Sequence, residues 1–430
     1  MSAAHSSAKA AYGRNHHDVI IVGGGLVGAS LACALAPLGL KIALLEAVPP
    51  RLADQPSYDD RTLALSASSC RILEAIDVWP KLAGNATPIR EILVSERGKP
   101  GRVVMRPQEL GLEQFGNVVE ARVFGAAVME CLAGLDGVHF LCPVDVGSIH
   151  CTEDSACVSI RHDGADRVLE SALLVGADGA ESTVRQSLGI AAERHDYGQT
   201  AIICNITPQQ DHAGRAFECF TPTGPFALLP HVNGRCGLVW SVASEQAEEI
   251  LQLPDHLFLE QAFGLFGNAL GPWTKVGKRS AYPLRLVRAC EDLRPRALIL
   301  GNAAHAIHPI GAQGFNLGLR DVAVLAEVIA LGMEQDPRPD IGSPGLLQAY
   351  SDWRAPDQAG TIAYSDGLAR LYANPSPLVA AARGLGLIAH ALIPPLRRQL
   401  AVRAMGYRGR VPLLAQGRRL TSPKHQALTS

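Results

Sequence analysis

Gly23, Gly25 and Gly28 follow the β-branched run DVIIV and precede an Ala/Leu-rich stretch, in the spacing G-x-G-x-x-G. Chemistry for such glycines is anion binding by backbone. The first permits a tight turn, the second lets the chain approach a pyrophosphate, and the third lets helix and strand pack closely. The N-terminus of the helix that follows offers unpaired N–H groups and the positive end of a dipole. A second apolar run, KIALLE, ends at Glu46, where a carboxylate can accept from both hydroxyls of an adenosine ribose. Strand, turn, helix, strand and terminal acid together predict a dinucleotide site over residues 18–47. Taken alone, this unit fits NAD and FAD equally.

Two later stretches repeat the plan of a buried strand ending in polar and small residues. LLVGADGAESTVRQSLG (173–189) ends its strand at Asp178-Gly179 and continues into a helix carrying Ser182 and Arg185. RALILGNAAHAIHPIGAQGFNLGLRD (296–321) follows its strand with Asn302, two histidines, Pro309 and a glycine-rich entry to an apolar helix. Three strand tips are thus expected to converge on one ligand at the carboxyl edge of an open α/β sheet. His305 and His308 lack a third ligand at metal spacing, so no metal site is expected. They read as packing and hydrogen-bonding groups, with proton transfer by either as the lesser alternative.

G-x-G-x-x-G, D-G-x-x-S-x-V-R and G-N-A-A-H-x-x-x-P-x-x-x-Q-G-x-N, in this order, resemble the three FAD motifs of single-component (class A) flavoprotein aromatic hydroxylases. DRTLALSASSCRIL (60–73), FECFTPTGPFALLP (217–230), GRCGLVW (234–240) and GKRSAYPL (277–284) narrow the resemblance to the ubiquinone-biosynthesis hydroxylases. The resemblance implies a cofactor, FAD, held at its ADP half by Gly23, Gly25, Gly28 and Glu46, with Asp178 and Gly179 near the pyrophosphate and ribose. It implies that Asn302 reaches the ribityl chain and that Arg61 and Arg122 contact the cofactor near the flavin. Many class A enzymes carry Asp at the position of Asn302; the neutral amide still donates and accepts a hydrogen bond. Gly311, Gly314, Phe315 and Asn316 would pass their backbone along the flavin ring. A helix beginning at Phe315 or Asn316 would aim its N-terminus at reduced flavin. Pro309 would form a rigid wall, with His305 and His308 beside it.

The resemblance also implies O2 as co-substrate, NAD(P)H or another electron donor, and a flavin C4a-hydroperoxide that delivers oxygen to a phenol carbon. The implied substrate is a lipid-like polyprenyl phenol, 2-octaprenyl-6-methoxyphenol in the first instance, with Phe220, Pro225, Phe226 and Leu228 as candidate pocket walls. Ordinary sheet core is an equally good account of those four. Other ubiquinone-biosynthesis enzymes are implied as partners.

The resemblance implies an α/β fold: a Rossmann-like FAD-binding domain with an interleaved mixed β-sheet substrate domain and C-terminal helices, like para-hydroxybenzoate hydroxylase. The FAD-binding domain is expected from 18–84, 113–195 and 286–344, and the substrate domain from 85–112 and 196–285 with a helix near 244–267. Residues 345–410 are expected to be helical, and 1–17 and 411–430 flexible. Length (430 residues), 47% apolar residues and 19% charged residues suit a multidomain globular protein with a sizeable core. A formal net charge of −2 gives no footing for nucleic-acid binding. Ten cysteines scattered without a C-x-x-C pair fit a reduced, cytoplasmic protein. No run reaches the ~20 apolar residues of a membrane span. The C-terminal LGLIAHALIPPLRRQLAVRAMGYRGR, with Arg397, Arg398, Arg403, Arg408 and Arg410, suits peripheral membrane contact or, equally, a basic packing helix. The alternative within the same fold is a sister ubiquinone hydroxylase acting at another ring carbon, or a soluble-phenol hydroxylase. Two readings of another kind are an NAD-dependent dehydrogenase, which would be colourless when pure, and a non-catalytic flavin-binding assembly protein.

Overall fold

The computed structural model describes residues 15–49, 61–336 and 338–421. Its first sheet is built on parallel strands. β1 (His16–Val22) is flanked by β2 (Ile42–Leu45) and β7 (Ala165–Gly176); β6 (Val138–Leu141) extends the sheet beyond β2, and β13 (Ala297–Ile299) extends it beyond β7. Leu293–Arg294 closes the β13 edge in antiparallel fashion, and a hairpin of 145–151 and 156–162 joins the long β7. Both faces are covered, which is why these strands read as continuous apolar runs. Val19, Ile21, Ile42 and Leu44 face one core with helices α1 (Leu26–Leu35) and α5 (Gln313–Gln335). Ile20, Val22, Ala43 and Leu45 face the other.

A second, mostly antiparallel sheet is built from the stretches expected to form the substrate domain. It runs β12 (Ser280–Ala289), β8 (Ala192–Pro208), β11 (Cys236–Ala243), β10 (Gly224–Pro230), β9 (Arg215–Thr221) and β4 (Glu91–Glu96), with 102–105 beyond β4 and 305–306 beyond β12. Only β9 and β4 pair in parallel, which is how the 85–112 excursion joins the later strands. Two helices, Ser244–Gln252 and Asp255–Phe266, cover the outer face where one was expected. A small sheet of β3 (Thr62–Ser66), β5 (Gly116–Glu120) and residues 87–88 lies between the domains. The remaining helices are α2 (Ala67–Ala75), α3 (Ala121–Ala133), α4 (Thr183–Ser187), α6 (Pro344–Ala373), α7 (Pro377–Leu392) and α8 (Pro394–Ala404).

Two expected boundaries move. Residues 411–421 are not frayed: Leu414, Ala415 and Leu420 are buried in the first core, because the turn at 414–416 docks on α2 and α5. At the other end β1 begins at His16, and His17 is 2% exposed. The expected flexible stretches 1–14 and 422–430 lie outside the described residues.

Candidate active site

The carboxyl ends of β1, β2, β7 and β13 meet at one edge of the parallel sheet, and Gly23, Gly24 and Gly28 there have no room for a side chain. A Cβ on Gly23 (φ +106°) would lie 2.5 Å from the Ala177 carbonyl oxygen, and one on Gly28 would lie 2.0 Å from that of Gly23. Gly25 is the N-cap of α1. Glu46 is fixed at the tip of β2: the Gly24 N–H donates to Oε2 at 2.7 Å and the Val48 N–H to Oε1 at 2.9 Å. Asp178 sits against Gly23, and its carboxylate receives the Ser182 hydroxyl at 2.5 Å and the Val184 N–H at 3.1 Å, capping α4. Gly179 takes the left-handed turn (φ +86°) and Asn302 is exposed at the tip of β13.

Arg185 locks two of these tips together. Its guanidinium donates to the carbonyls of Ala303 and Ala180, both at 2.7 Å, and the residue is 2% exposed. Among the described residues it has no carboxylate partner, so a buried positive charge lies beneath the tips of β7 and β13. The sequence offered a signal for this role, an arginine on the helix just after Asp178-Gly179, but not its target.

The loop into α5 carries the third motif. Gly311 (φ +66°) and Ala312 (φ +52°) are both left-handed, and the helix starts at Gln313, two or three residues earlier than expected. The N–H groups of its first turn therefore belong to Gln313, Gly314 and Phe315. A Cβ on Gly314 would find only Ile307 within 4 Å, at 3.5 Å. The Phe315 ring packs edge-on against Phe124, 5.3 Å between centroids, and so points into the core. The Asn316 side chain is likewise spent inside the protein, which leaves its backbone for the expected approach to a cofactor. It donates to Ala64 and Ala312 carbonyls at 2.9 and 2.6 Å and accepts from the Ser66 N–H and Ser69 hydroxyl at 2.9 and 2.7 Å. Only its backbone faces the loop.

Both histidines are buried and each is engaged through Nε2. Nε2 of His305 contacts Asp321 at 2.6 Å; a carboxylate only accepts, so this nitrogen carries the proton. Asp321, fully buried, also accepts from Gly301 N–H, Arg354 and Gln358. Burial pushes its pKa up, but the His305 and Arg354 side chains more than offset that and hold it below the ordinary carboxylate range. Arg354 and Arg320 share Asp357, completing a buried network between α5 and α6. The only trace of this network in sequence was Arg320-Asp321 inside an apolar helix. His308 is fully buried, its Nε2 3.2 Å from Gln199 Oε1, and burial depresses its pKa to about 4, so it is neutral at pH 7.

Arg61 lies 4.9 Å over the Tyr282 ring, and its carbonyl accepts from the Ala121 N–H, next to Arg122. Arg122 pairs with Glu120 at 2.9 Å; His231 and Arg235 crowd the same carboxylate and, led by the His231 hydrogen bond, hold it at about 2. Of the four candidate pocket walls, Phe226 and Leu228 are corrected. They are fully buried on the outer face of the substrate sheet, Phe226 against Trp240 and Trp273, because alternate residues of a strand face opposite sides. Phe220 and its cross-strand neighbour Pro225 face inward. The Phe220 ring stacks on Tyr372 of α6, 3.5 Å between centroids, and touches Ile310 of the third motif.

The FAD binding domain family model matches residues 16–363. Ubiquinone hydroxylase UbiL of Rhodospirillum rubrum is 38% identical over 391 residues, 90% of this chain and 89% of that protein. The chain belongs to the ubiquinone hydroxylase family. This family member is an FAD-dependent aromatic-ring monooxygenase of the ubiquinone-biosynthesis group. The 3-demethoxyubiquinol 3-hydroxylase of Escherichia coli is 30% identical, covering 90% of this chain and 98% of that one. In fold it is similar to p-nitrophenol 4-monooxygenase PnpA of Pseudomonas putida DLL-E4, with TM-score 0.76 and 18% identity over 92% of this chain and 100% of that one. In this ubiquinone hydroxylase the segment leading into α5 meets the second sheet: residues 305–306 pair with β12, His308 contacts Gln199, and Ile310 packs with Phe220.

Proposed function

We propose that this ubiquinone hydroxylase oxygenates a polyprenylated phenol, 2-octaprenyl-6-methoxyphenol in the first instance, using FAD, O2 and NAD(P)H or another reductant. The observation that carries the reading is the convergence of four strand tips, with Cβ-excluding glycines and two helix N-termini, on one edge facing the inner surface of the second sheet. The residues fit FAD. Gly23–Gly25 and the α1 N-terminus would take the pyrophosphate, helped by the buried Arg185 charge; Glu46 would take the adenosine ribose, and Asn302 the ribityl chain. The bound flavin would supply electron transfer and activation of O2. The chain itself must hold the phenol ring against that edge, exclude water and manage the phenolic proton.

The outer face of α7 supports a lipid-like substrate. Leu378, Leu385 and Leu392 recur every seven residues, forming one stripe, and are 83%, 69% and 74% exposed, with Ile393 beyond them. Arg397, Arg403 and Arg410 are engaged with Glu109, Tyr364 and Trp353, so apolar area rather than charge would drive contact with a membrane surface. No single described helix is long and apolar enough to cross a membrane, and α7 and α8 meet at 94°.

Expression in strains each lacking one ubiquinone hydroxylase tests the substrate. Ubiquinone should return in the strain blocked at the methoxyphenol step, with loss of its accumulated intermediate by lipid mass spectrometry. Rescue of only the strain lacking 3-demethoxyubiquinol 3-hydroxylase would assign a different ring carbon. A colourless protein that cannot be reconstituted with FAD would refute the reading altogether. Flotation with phosphatidylethanolamine–phosphatidylglycerol vesicles tests the membrane contact; wild type should float and a Leu378→Ser/Leu385→Ser/Leu392→Ser variant should not.

A further inference from the structure

Glu218 stands where an apolar surface is expected. On β9, Phe217 and Cys219 point to the outer core, so Ala216, Glu218 and Phe220 point inward. Across the sheet, Glu218 is in register with Ala227, Ala227 with Val239, and Val239 with Ile203; on the other side it is in register with Val94 of β4. From Val94 to Ile203 the row is otherwise apolar, and it ends at Ser280 of β12. Its inner face is the one against which β3 and Arg61 lie: a Cβ on Gly237 would meet Thr62 Oγ1, and Arg61 covers Tyr282. Two residues along from Glu218, Phe220 touches Ile310 of the glycine-rich loop; two residues back, Ala216 packs with the cluster under α7 and α8. Glu218 therefore occupies the gap between those clusters, on the face turned to the flavin edge.

Among the described residues its carboxyl makes no hydrogen bond and no ion pair, although the fold encloses it. It retains some surface accessible to water while protein surrounds it, as expected for a group lining an internal cleft. An unpartnered carboxyl so placed costs stability unless a ligand uses it. We propose that Glu218 is the catalytic residue that accepts the hydrogen bond, and then the proton, of the substrate's phenolic hydroxyl. The assignment rests on the phenol hydroxylase reading above. In the step, the O–H bond of the phenol breaks and an O–H bond to a Glu218 carboxylate oxygen forms. The electron pair stays on the phenolate and raises the nucleophilicity of the ring carbon; nothing is oxidised or reduced. The proton then leaves to water after the product departs.

Enclosure pushes the Glu218 pKa up to about 7, by desolvation alone, which narrows the gap to a phenol at about 10. The titratable groups around it are Tyr364 and Tyr372 of α6, both raised by burial, Arg403 of α8 over the Tyr364 ring, and the Glu96–Arg383 pair at the end of β4. None bonds to the Glu218 carboxyl, so none replaces it as acceptor.

The test uses holoenzyme reduced with dithionite, freed of excess reductant and mixed with oxygenated buffer and 2-geranyl-6-methoxyphenol, with hydroxylated product quantified from pH 5.5 to 9.5. Wild-type product formation should rise through about pH 7 and level off. Glu218→Gln should retain FAD and fold, yet form product about 100-fold more slowly at pH 7, with its residual rate still climbing toward the phenol pKa of about 10. Glu218→Asp should restore part of the rate and the inflection. Glu218→Gln with the wild-type rate and profile would overturn the assignment while leaving the hydroxylase reading intact. No product from wild type with this phenol or with unmethoxylated 2-geranylphenol would instead overturn the reading and the assignment together.

Discussion

Asp321→Asn isolates the buried network that braces the third motif. Asp321 takes four donors: His305 at 2.6 Å, Arg354 at 2.7 Å, and Gly301 and Gln358 both at 3.1 Å. Asparagine keeps one acceptor oxygen but turns an NH2 toward one pair of those donors, and leaves Arg320 and Arg354 sharing the single carboxylate of Asp357. Breaking a buried pair from one side costs about 3–5 kcal/mol. That is a large share of a total stability of roughly 5–15 kcal/mol, and for a chain of this length should lower the melting temperature by about 3–6 °C. Removing Arg354 as well, as Asp321→Asn/Arg354→Met, should cost less than the sum of the two single changes, because no lone charge remains. Circular dichroism follows global unfolding and flavin fluorescence follows cofactor release, both at fixed scan rate. Asp321 has a depressed pKa, so its contribution is complete above the unfolded value near 4 and fades as pH falls through the folded one. The difference from wild type should therefore be flat from pH 5 to 8 and shrink in stronger acid. An Asp321→Asn variant that melts within about 1 °C of wild type and keeps its flavin would refute the network's role, since that is the effect of only about 1 kcal/mol.

Gly314→Val should fold, because only Ile307 lies near its Cβ position, yet lose flavin retention on gel filtration; full occupancy would move the ring away from this turn. Phe226→Ala should destabilise by about 3–5 kcal/mol through the outer aromatic core, with KM for the phenol nearly unchanged; a large change in KM at preserved stability would return Phe226 to the pocket. Phe220→Ala, on the inner face, should do the reverse and raise KM.

The sequence made the cofactor edge readable because its requirements are backbone requirements. Gly23 and Gly28 are glycine because a Cβ collides there, and that exclusion leaves a spacing signature. Face assignment on the substrate strands was not readable. Both faces of β9 and β10 are covered, so apolar residues occur at odd and even positions alike, and Phe220 and Phe226 look equivalent until the register is known. The start of α5 was misplaced because Ala312, not glycine, takes the left-handed turn that ends the loop. The burial of Leu414 and Leu420 is not legible in the sequence, because the surface that receives them is assembled from helices far away along the chain. Glu218 stood inside a quoted motif, FECFTPTG, but its isolation depends on neighbours contributed by other strands.

The guanidinium of Arg185 ties Ala180 to Ala303, and pulling those loops apart would strand a buried cation without acceptors. The edge proposed to take the diphosphate is consequently braced before any nucleotide arrives, and little ordering entropy would be spent on docking. Loading of the apoprotein should resemble insertion into a finished socket, with one kinetic phase and little change in amide exchange around either loop.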